Sequence, residues 1–514
     1  MTAARDDGSG ASAGAGRRFP GRVRPGSERT HSRFGVSTAA TGDILMTMAT
    51  TTPGPTVFVL FGATGDLAKR MVLPAFYTLA LEGLLPEDWL LVGNGRGDVA
   101  HEDFRKHVHD ALVEFGPQPE KGPWQQFADR LLFAGGGFNT DDPGSLLEVI
   151  DDARKRLGAT AQLVHYLAVP PMAFEGLTKA LGQHGLADGA RVVYEKPFGT
   201  SQAGFRSLNR AVHSVLEESQ VYRIDHFLGK EGTQDLHVLR FANEIFAAMW
   251  NREHIESVQI DVPETLGIAD RAEFYDATGA VLDMLVTHLF QVAAEVAMEP
   301  PASLEAADLQ SAREKVIRAY RPIDPAEAVL AQFEGYKDVP GIKPRSKTDT
   351  YVAVKLWIDN PRWRGVPFYL RTGKRLAVSE QRVSIVLRTP AAPVPKLPPQ
   401  ANVLSFSLSG SGEIDLSMLA KKPGVELEVT PAQVSLRLAD LPEAEPLPPY
   451  VRLIHDVLLG DRSLFTRPDG LAAAWKAVQP LLDNPPRLTK YAQGSWGPAK
   501  ARKLVTPGAW LLGE

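Results

Sequence analysis

The clearest fold signal in the chain is "TVFVLFGATGDLAKRMVLPAFYTLALEGLL", residues 56–85. A short apolar run meets a glycine turn, and an amphipathic helical pattern follows the turn. Gly62 and Gly65 permit a tight turn and a close approach of the backbone to a pyrophosphate, while Ala68 lets the helix pack on the strand. The GxxGxxA spacing is looser than GxGxxG, so its weight comes from this strand–turn–helix context. A nucleotide-triphosphate P-loop is excluded, because no Gly-Lys-Ser/Thr follows the glycines.

The pattern of strands and helices changes near residue 227. Before it, apolar runs alternate with helical stretches, which predicts a mostly parallel, doubly wound, Rossmann-like sheet. After it come two long helical stretches and several runs with period-two alternation, which predict an α+β part with a large, mainly antiparallel sheet. We therefore predict a dinucleotide-binding domain over residues 53–225 and a substrate and oligomerisation domain over residues 226–514.

Composition narrows the function classes. The 514 residues are 44% hydrophobic and 23% charged, as in ordinary soluble globular proteins. A net charge of −5 gives no reason to expect a nucleic-acid or membrane partner. The longest apolar stretch, residues 280–298, is interrupted by acidic and polar side chains, so we expect no membrane span. The chain has no cysteine, which excludes disulfides and cysteine-ligated zinc and suits a cytoplasmic protein.

The N-terminal segment differs from the rest of the chain. It is rich in Gly, Ala, Ser and Arg and lacks the apolar core of a secretory signal. We predict a disordered extension over residues 1–52. The alternative is that translation begins at Met46 or Met48.

The end of the second predicted strand bears on the choice of dinucleotide. That strand ends "VGNGRGD", residues 92–98, with Arg96 first and Asp98 two residues later. An arginine there accommodates the 2′-phosphate of NADP, whereas an acid binds the ribose hydroxyls of NAD. We favour NADP as cofactor. Use of both dinucleotides stays open, as does a plain solvated role for Arg96.

A second dense motif is "YRIDHFLGKE", residues 222–231, which follows "EKPFG", residues 195–199. With "FGATGDLAKR", "YLAVPP", "THLFQ" and "PRWRGVPFYLRTGKRL", these segments resemble the glucose-6-phosphate dehydrogenase family, in family order over most of the chain after residue 57. The resemblance implies NADP-dependent oxidation of glucose 6-phosphate to 6-phosphogluconolactone, the first step of the oxidative pentose phosphate pathway. It also implies a homodimer or homotetramer formed through the antiparallel sheet, and no metal.

The resemblance also implies the roles of single residues. His288 would be the general base, Asp225 would orient it, and Lys196 would lie near the reacting hydroxyl. Sugar-phosphate contacts fall on five positions: His226, Lys230, Glu264, Asp283 and Lys374. Cofactor contacts fall on the glycine turn and three other positions: Gly62, Ala63, Thr64, Gly65, Asp66, Leu67, Arg96, Tyr166 and Lys196.

The residue pattern itself predicts how Asp225 and His226 are oriented. If both lie in an extended strand, their side chains point to opposite faces. The resemblance supplies a partner for each: Asp225 would reach His288, and His226 would turn toward a substrate phosphate with Lys230. Without the family likeness, a histidine in an apolar helix such as that of His288 would more often be a core residue.

Four positions depart from the family pattern. Phe227 replaces a tyrosine whose hydroxyl helps to hold the phosphate, and Thr287 stands where asparagine is common. The segment 267–279 is divergent, and Lys374 lacks a second basic residue a few positions on. Two alternatives therefore stay open. One is a dehydrogenase of another hexose phosphate, and the other is a catalytically weak, NADP-binding regulatory paralogue.

Overall fold

Six short apolar runs pair in parallel to form the first sheet of the computed structural model, which describes residues 53–268, 271–391, 394–395, 397–410 and 412–513. The strand order is β3-β2-β1-β4-β5-β6, and every pairing in it is parallel. The strands are β1 (Thr56–Phe61), β2 (Trp89–Asn94), β3 (Leu131–Ala134), β4 (Gln162–Leu167), β5 (Arg191–Tyr194) and β6 (Val221–Arg223). Near-continuous burial of these strands is what a parallel sheet covered on both faces requires. The predicted extension 1–52 lies outside the described residues.

Helices cover both faces of this sheet. The helices of this part are α1 (Leu73–Leu81), α2 (His101–Phe115), α3 (Lys121–Ala128), α4 (Leu146–Leu157), α5 (Phe174–Gln183) and α6 (Gln202–His213). A π-helical turn, Ala68–Val72, precedes α1. One apolar cluster contains side chains of α1 and α2, and the other contains side chains of α4, α5 and α6. This is the predicted doubly wound arrangement.

A nine-stranded sheet forms the second part, in the order β14-β13-β12-β11-β7-β10-β9-β8-β15. Its strands are β7 (Ile255–Pro263), β8 (Ala328–Phe333), β9 (Tyr351–Leu356), β10 (Phe368–Gly373), β11 (Arg382–Leu387), β12 (Val403–Ser407), β13 (Glu413–Lys421), β14 (Val429–Arg437) and β15 (Thr489–Tyr491). The pairs β7–β10 and β8–β15 are parallel and the remaining pairs are antiparallel. The prediction of a mainly antiparallel sheet is confirmed.

The helices of the second part pack on both sheets. They are α7 (Glu231–Ala242), α8 (Glu244–Met249), α9 (Ala272–Ala280), α10 (Phe290–Ala297), α11 (Ala306–Arg318), α12 (Pro449–Leu459), α13 (Pro468–Asp483) and α14 (Lys500–Leu504). α12 packs on α1, and α13 packs on α6 and α11. Helices from the end of the chain therefore pack against the helices of the first sheet, and the hydrophobic core continues past residue 225. The domain boundary at residue 225 stays a prediction.

One long apolar helical segment runs through the core of the second part. α9 ends in a break at Gly279, whose φ is 64° and ψ is 179°. A π-helical stretch, Val281–Leu289, then continues into α10. The combined segment, Ala272–Ala297, is long and apolar enough to cross a membrane by length and composition alone. Because 89% of its most apolar window is buried inside the protein, it has the burial of a core helix.

Candidate active site

The centre of the candidate site is a buried imidazole–carboxylate pair. His288 Nδ1 lies 2.7 Å from Asp225 Oδ1, and both side chains are almost wholly shielded from solvent. The same Asp225 oxygen accepts a hydrogen bond from the backbone N–H of Phe227, at 2.9 Å. His288 Nε2 is buried and makes no hydrogen bond to the described residues. Nδ1 therefore carries the proton that bonds to Asp225, and the Nε2 lone pair is available as a base.

The predicted contact between Asp225 and His288 is present, but the prediction that Asp225 and His226 lie in a strand and point to opposite faces was wrong. β6 ends at Arg223, so Asp225 and His226 lie in the turn that follows and do not alternate across a sheet. The two histidine rings are in edge-to-face contact, with centroids 4.5 Å apart. His226 therefore lies against the imidazole of His288 and does not point away from the pair.

Lys196 and Asp283 form a second pair next to the first. Lys196 Nζ lies 2.9 Å from Asp283 Oδ1 and 3.1 Å from the carbonyl oxygen of Asp283. Lys196 follows the end of β5, and Asp283 lies in the first turn of the π-helical stretch that also carries His288. The carboxyl end of a parallel sheet and the start of a core helix thus meet at one point, which is where ligands bind in α/β sheets.

Glu264 and Lys374 form a third pair because their strands are parallel neighbours. β7 and β10 pair in parallel, with Pro263 opposite Gly373, so the residues that follow both strands leave the same edge. Lys374 Nζ lies 2.5 Å from Glu264 Oε2. The electrostatic neighbours of His288 include Lys196, Asp283, Lys230 and Lys374, so the predicted sugar-phosphate contacts gather around the imidazole.

His226, Phe227 and Lys230 line another side of His288. Lys230 is the residue before the first turn of α7, so its cation stands at the positive end of a helix dipole. Its ammonium lies 5.1 Å from the centre of the Phe227 ring. That ring in turn stacks on His288 at 4.7 Å with an interplanar angle of 30°. Phe227 thus supplies an apolar wall to the imidazole.

Burial and neighbouring charges shift the acid–base properties of this cluster. Burial, reinforced by the cation of Lys196, lowers the pKa of His288 well below its ordinary value, so the ring is neutral. Burial raises the pKa of Asp225 to about 6. Burial would also raise the pKa of Asp283, but the ion pair with Lys196 holds it well below the usual range. Burial lowers the pKa of Lys230 to about 8.

The predicted cofactor turn is held by backbone hydrogen bonds, and the polar side chains near it are exposed. Gly62 has φ of 72°, and a Cβ there would lie 2.5 Å from the carbonyl oxygen of Ala168. Its N–H donates to the carbonyl of Asn94, which ties β1 to the end of β2. Asp66 is exposed and pairs with Arg70 at 2.5 Å. Arg96 is exposed just past the end of β2, where the adenosine end of a dinucleotide lies in such folds.

The remaining members of the predicted turn lie where the glycine turn leads into the first helix. Ala63 is buried, Thr64 is exposed, and Gly65 donates its N–H to the carbonyl of Gly62 at 2.9 Å. Leu67 is the last residue before the π-helical turn. These positions form a tight loop at a helix N-terminus, a geometry that suits a pyrophosphate.

Tyr166 requires a correction. Its side chain is fully buried, and its hydroxyl donates to Glu195 Oε1 at 2.6 Å, so it supports Glu195 and offers no surface to a cofactor. Tyr450 on α12 approaches the other oxygen of Glu195 at 3.5 Å and stacks on His226. Sequence reasoning missed Glu195 and Tyr450. Glu195 could have been predicted, because it precedes Lys196 in sequence. Tyr450 could not, because no motif of the site lies near it in sequence.

Two departures from the family pattern have a structural account. Thr287 Oγ1 donates to the carbonyl of Asp283 at 2.6 Å, so its hydroxyl is used within the helix. Phe227 stacks on His288, as described above. The divergent segment 267–279 lies partly outside the described residues.

One group of potential metal ligands occurs among the described residues. Ligand atoms of Asp225, His226 and His288 lie within 4.8 Å of one another. The cations of Lys196 and Lys230 act on the same imidazoles and oppose another positive charge there. The absence of a metal stays a prediction.

A parallel sheet with a glycine turn at its first strand, joined to a buried histidine–carboxylate pair, defines a Rossmann-type oxidoreductase. Residues 59–235 match the family described as "Glucose-6-phosphate dehydrogenase, NAD binding domain", and residues 237–510 match its C-terminal domain. The chain belongs to the glucose-6-phosphate dehydrogenase family.

Individual relatives agree with this assignment. A glucose-6-phosphate 1-dehydrogenase of Gluconobacter oxydans is 38% identical over 483 residues, covering 88% of this chain and 96% of that protein. The enzyme of Aggregatibacter actinomycetemcomitans is 36% identical, covering 87% and 95%. A crystal structure from Mycobacterium avium superposes with a TM-score of 0.81 at 35% identity, covering 90% of this chain and 99% of that one. A glucose-6-phosphate dehydrogenase solved with its substrate glucose-6-phosphate gives 0.84 at 29% identity, covering 91% and 100%.

Proposed function

We propose that this protein oxidises D-glucose 6-phosphate to 6-phospho-D-glucono-1,5-lactone with NADP, the first step of the oxidative pentose phosphate pathway. The observation that carries the proposal is the pair His288–Asp225, whose imidazole has a free Nε2 next to the Lys196–Asp283 pair. An imidazole in this state removes a proton at neutral pH without a metal.

The reaction removes two electrons and two protons from the sugar. His288 Nε2 takes the proton of the anomeric hydroxyl while the C1–H bond breaks as hydride and the C1–O bond becomes a carbonyl. The nicotinamide ring, when bound, accepts that hydride. Asp225 stabilises the imidazolium that forms, because its carboxylate accepts from Nδ1 at 2.7 Å. Lys196, already paired with Asp283, orients the reacting hydroxyl.

The remaining residues bind the substrate. Lys230 and the N-terminus of α7 supply positive charge for the phosphate, and His226, whose pKa is lowered by burial, would supply a neutral N–H donor. Glu264, Asp283 and Lys374 would bind the sugar hydroxyls; Glu264 and Lys374 are paired, and Asp283 and Lys374 act electrostatically on His288. Holding sugar and nicotinamide in register contributes most to the rate, since neither reactant needs strong activation.

For the cofactor, the N-terminal end of the helix that follows the glycine turn Gly62–Leu67 would face a pyrophosphate, and Arg96 would bind the 2′-phosphate of NADP. The exposed guanidinium of Arg96 beyond β2 supports NADP over NAD. Lys196, just past the end of β5, would contribute to both sites.

A substrate and cofactor panel tests the proposal. Purified protein lacking the residues before Met46 is assayed for NADPH and NADH formation with glucose 6-phosphate and other hexose phosphates. We expect the highest kcat/KM with glucose 6-phosphate and NADP. A higher kcat/KM with another hexose phosphate would indicate a dehydrogenase of that sugar. The absence of a hydroxyl at Phe227 favours this alternative. No turnover with tight NADP binding would indicate a regulatory paralogue.

We also propose a cytoplasmic homodimer or homotetramer assembled through the second sheet. The edge strand β14 is paired on one side by β13 and carries Val434 and Leu436 at 59% and 44% exposure. The hairpin between the two strands exposes Val425 and Leu427. Apolar side chains on an unpaired edge are typical of an interface. A monomer in analytical ultracentrifugation at micromolar concentration would contradict this proposal.

A further inference from the structure

The start of the helical stretch that carries Asp283 and His288 is held by a segment far along the chain. The helix breaks at Gly279 and begins again at Ala280. Its first N–H groups have no acceptor within the helix, as at any helix start. Two of them bond to Asp349. Ala280 N donates to the carbonyl oxygen of Asp349, and Val281 N donates to its Oδ2, both at 2.9 Å.

The break itself is shaped for this contact. A Cβ at Gly279 would lie 2.7 Å from Asp349 Oδ1, and the positive φ of 64° disfavours other residues. On the other side of the break, Thr348 Oγ1 donates to the carbonyl of Asp276 at 2.6 Å. Residues 348 and 349 therefore bind both ends of the interruption, and the carboxylate lies at a helix N-terminus, where the dipole favours a negative charge.

The next residue connects this anchor to the opposite side of the site. Thr350 accepts from the backbone N–H of Lys374 at 2.9 Å. The hydroxyl of Tyr491 bonds to the carbonyl oxygens of Lys374, at 2.6 Å, and Thr350, at 3.1 Å. Asp349 and the buried Thr350 thus link the backbone before Asp283 to the backbone of Lys374.

We propose that Asp349 is a positioning residue that sets the spacing between the Asp283–His288 helix and Lys374, and so the fit of the sugar ring. The inference rests on the proposed function. Asp349 touches no substrate; it acts through the N–H groups of Ala280 and Val281. Its loss should reduce sugar binding and turnover without reducing dinucleotide binding, because the glycine turn Gly62–Leu67 belongs to the other sheet.

The test compares three variants with the parent enzyme. Asp349→Ala removes the side-chain acceptor, and Asp349→Asn keeps an acceptor oxygen of the same size. Asp324→Ala is the matched control, because Asp324 caps Ala326 N at 2.9 Å in the turn Pro325–Glu327. We expect Asp349→Ala to lower kcat/KM for glucose 6-phosphate at least about 10-fold and its calorimetric affinity about 5-fold. The KM of Asp349→Ala for NADP should stay within about twofold of the parent's. For Asp324→Ala, both kcat/KM for glucose 6-phosphate and KM for NADP should stay within about twofold of the parent's.

The outcomes separate this inference from the proposed function. A parent without activity on glucose 6-phosphate refutes the proposed function, and the inference with it. An active parent matched within twofold by Asp349→Ala refutes the inference alone. It is also refuted if Asp349→Asn is as damaged as Asp349→Ala, or if NADP binding falls in parallel. If Asp349→Ala does not fold, Asp349→Ser, which keeps a shorter acceptor, replaces it. The same fold-changes in kcat/KM for glucose 6-phosphate and in KM for NADP then apply.

Discussion

The catalytic cluster and the cofactor turn lie at the same edge of the first sheet, yet they are built differently. At the cluster, Asp225 and His288 are buried and already hydrogen-bonded to each other. At the turn, a tight backbone loop precedes a helix N-terminus, and the side chains of Asp66 and Arg96 are exposed. Buried, paired side chains should control turnover, whereas exposed side chains near backbone contacts should control only affinity and selectivity.

The largest effect is expected for His288→Asn. Removing the base should lower kcat by about 10³-fold, within the range for general-base residues, because asparagine cannot accept the proton. Dinucleotide affinity, measured by fluorescence titration, should stay within about twofold, since the turn lies apart from the imidazole. Retention of more than a tenth of the parent's kcat would remove the assignment of His288 as base.

Asp225→Asn should have the second-largest effect. It should lower kcat by about 10²–10³-fold, because a neutral amide stabilises the imidazolium less well. It should also change the pH profile. Burial raises the pKa of Asp225 to about 6, so its carboxylate protonates as pH falls through 6, and the parent's kcat/KM should decline there. The variant should lack this decline. An unchanged acidic limb would assign that titration to another group.

Lys230→Ala should act mainly on substrate affinity. The loss of one charge-assisted hydrogen bond to phosphate should raise KM for glucose 6-phosphate by about 10–100-fold with little change in kcat. Burial lowers the pKa of Lys230 to about 8, so the parent's kcat/KM should fall as pH rises through 8, and the variant should not show this limb. Lys106→Ala, at an exposed surface lysine, is the control and should match the parent. An unchanged KM in Lys230→Ala would separate this lysine from the phosphate.

The smallest effect is expected at the turn. Arg96→Ala should raise KM for NADP by about 5–10-fold and leave KM for NAD nearly unchanged, because a single exposed charge contact is screened by solvent. Arg210→Ala, at an exposed arginine on α6, serves as control. If Arg96→Ala and the parent have the same ratio of NADP to NAD use, another group selects the cofactor.

The two regions also differ in how well the sequence predicts them. The glycine turn was predictable because strand, turn and helix are contiguous and Gly62 is required by a local close approach to Ala168. β6 ends at Arg223, so the strand that was predicted to contain Asp225 and His226 is shorter than predicted. The pairings of β7 with β10 and of β8 with β15 could not be predicted, because these partners are distant in sequence and burial decides their pairing.

Local sequence by itself determined the parallel sheet, its glycine turn and the residue types of the site, since these depend on periodicity and on backbone freedom over a few residues. The tertiary structure alone decided that His226 lies against His288, that Tyr166 is buried beneath Glu195, and that Asp349 bonds to the start of the helical stretch that carries His288. Such contacts join segments tens of residues apart. They follow from the packing of two sheets around one core, which no local pattern encodes.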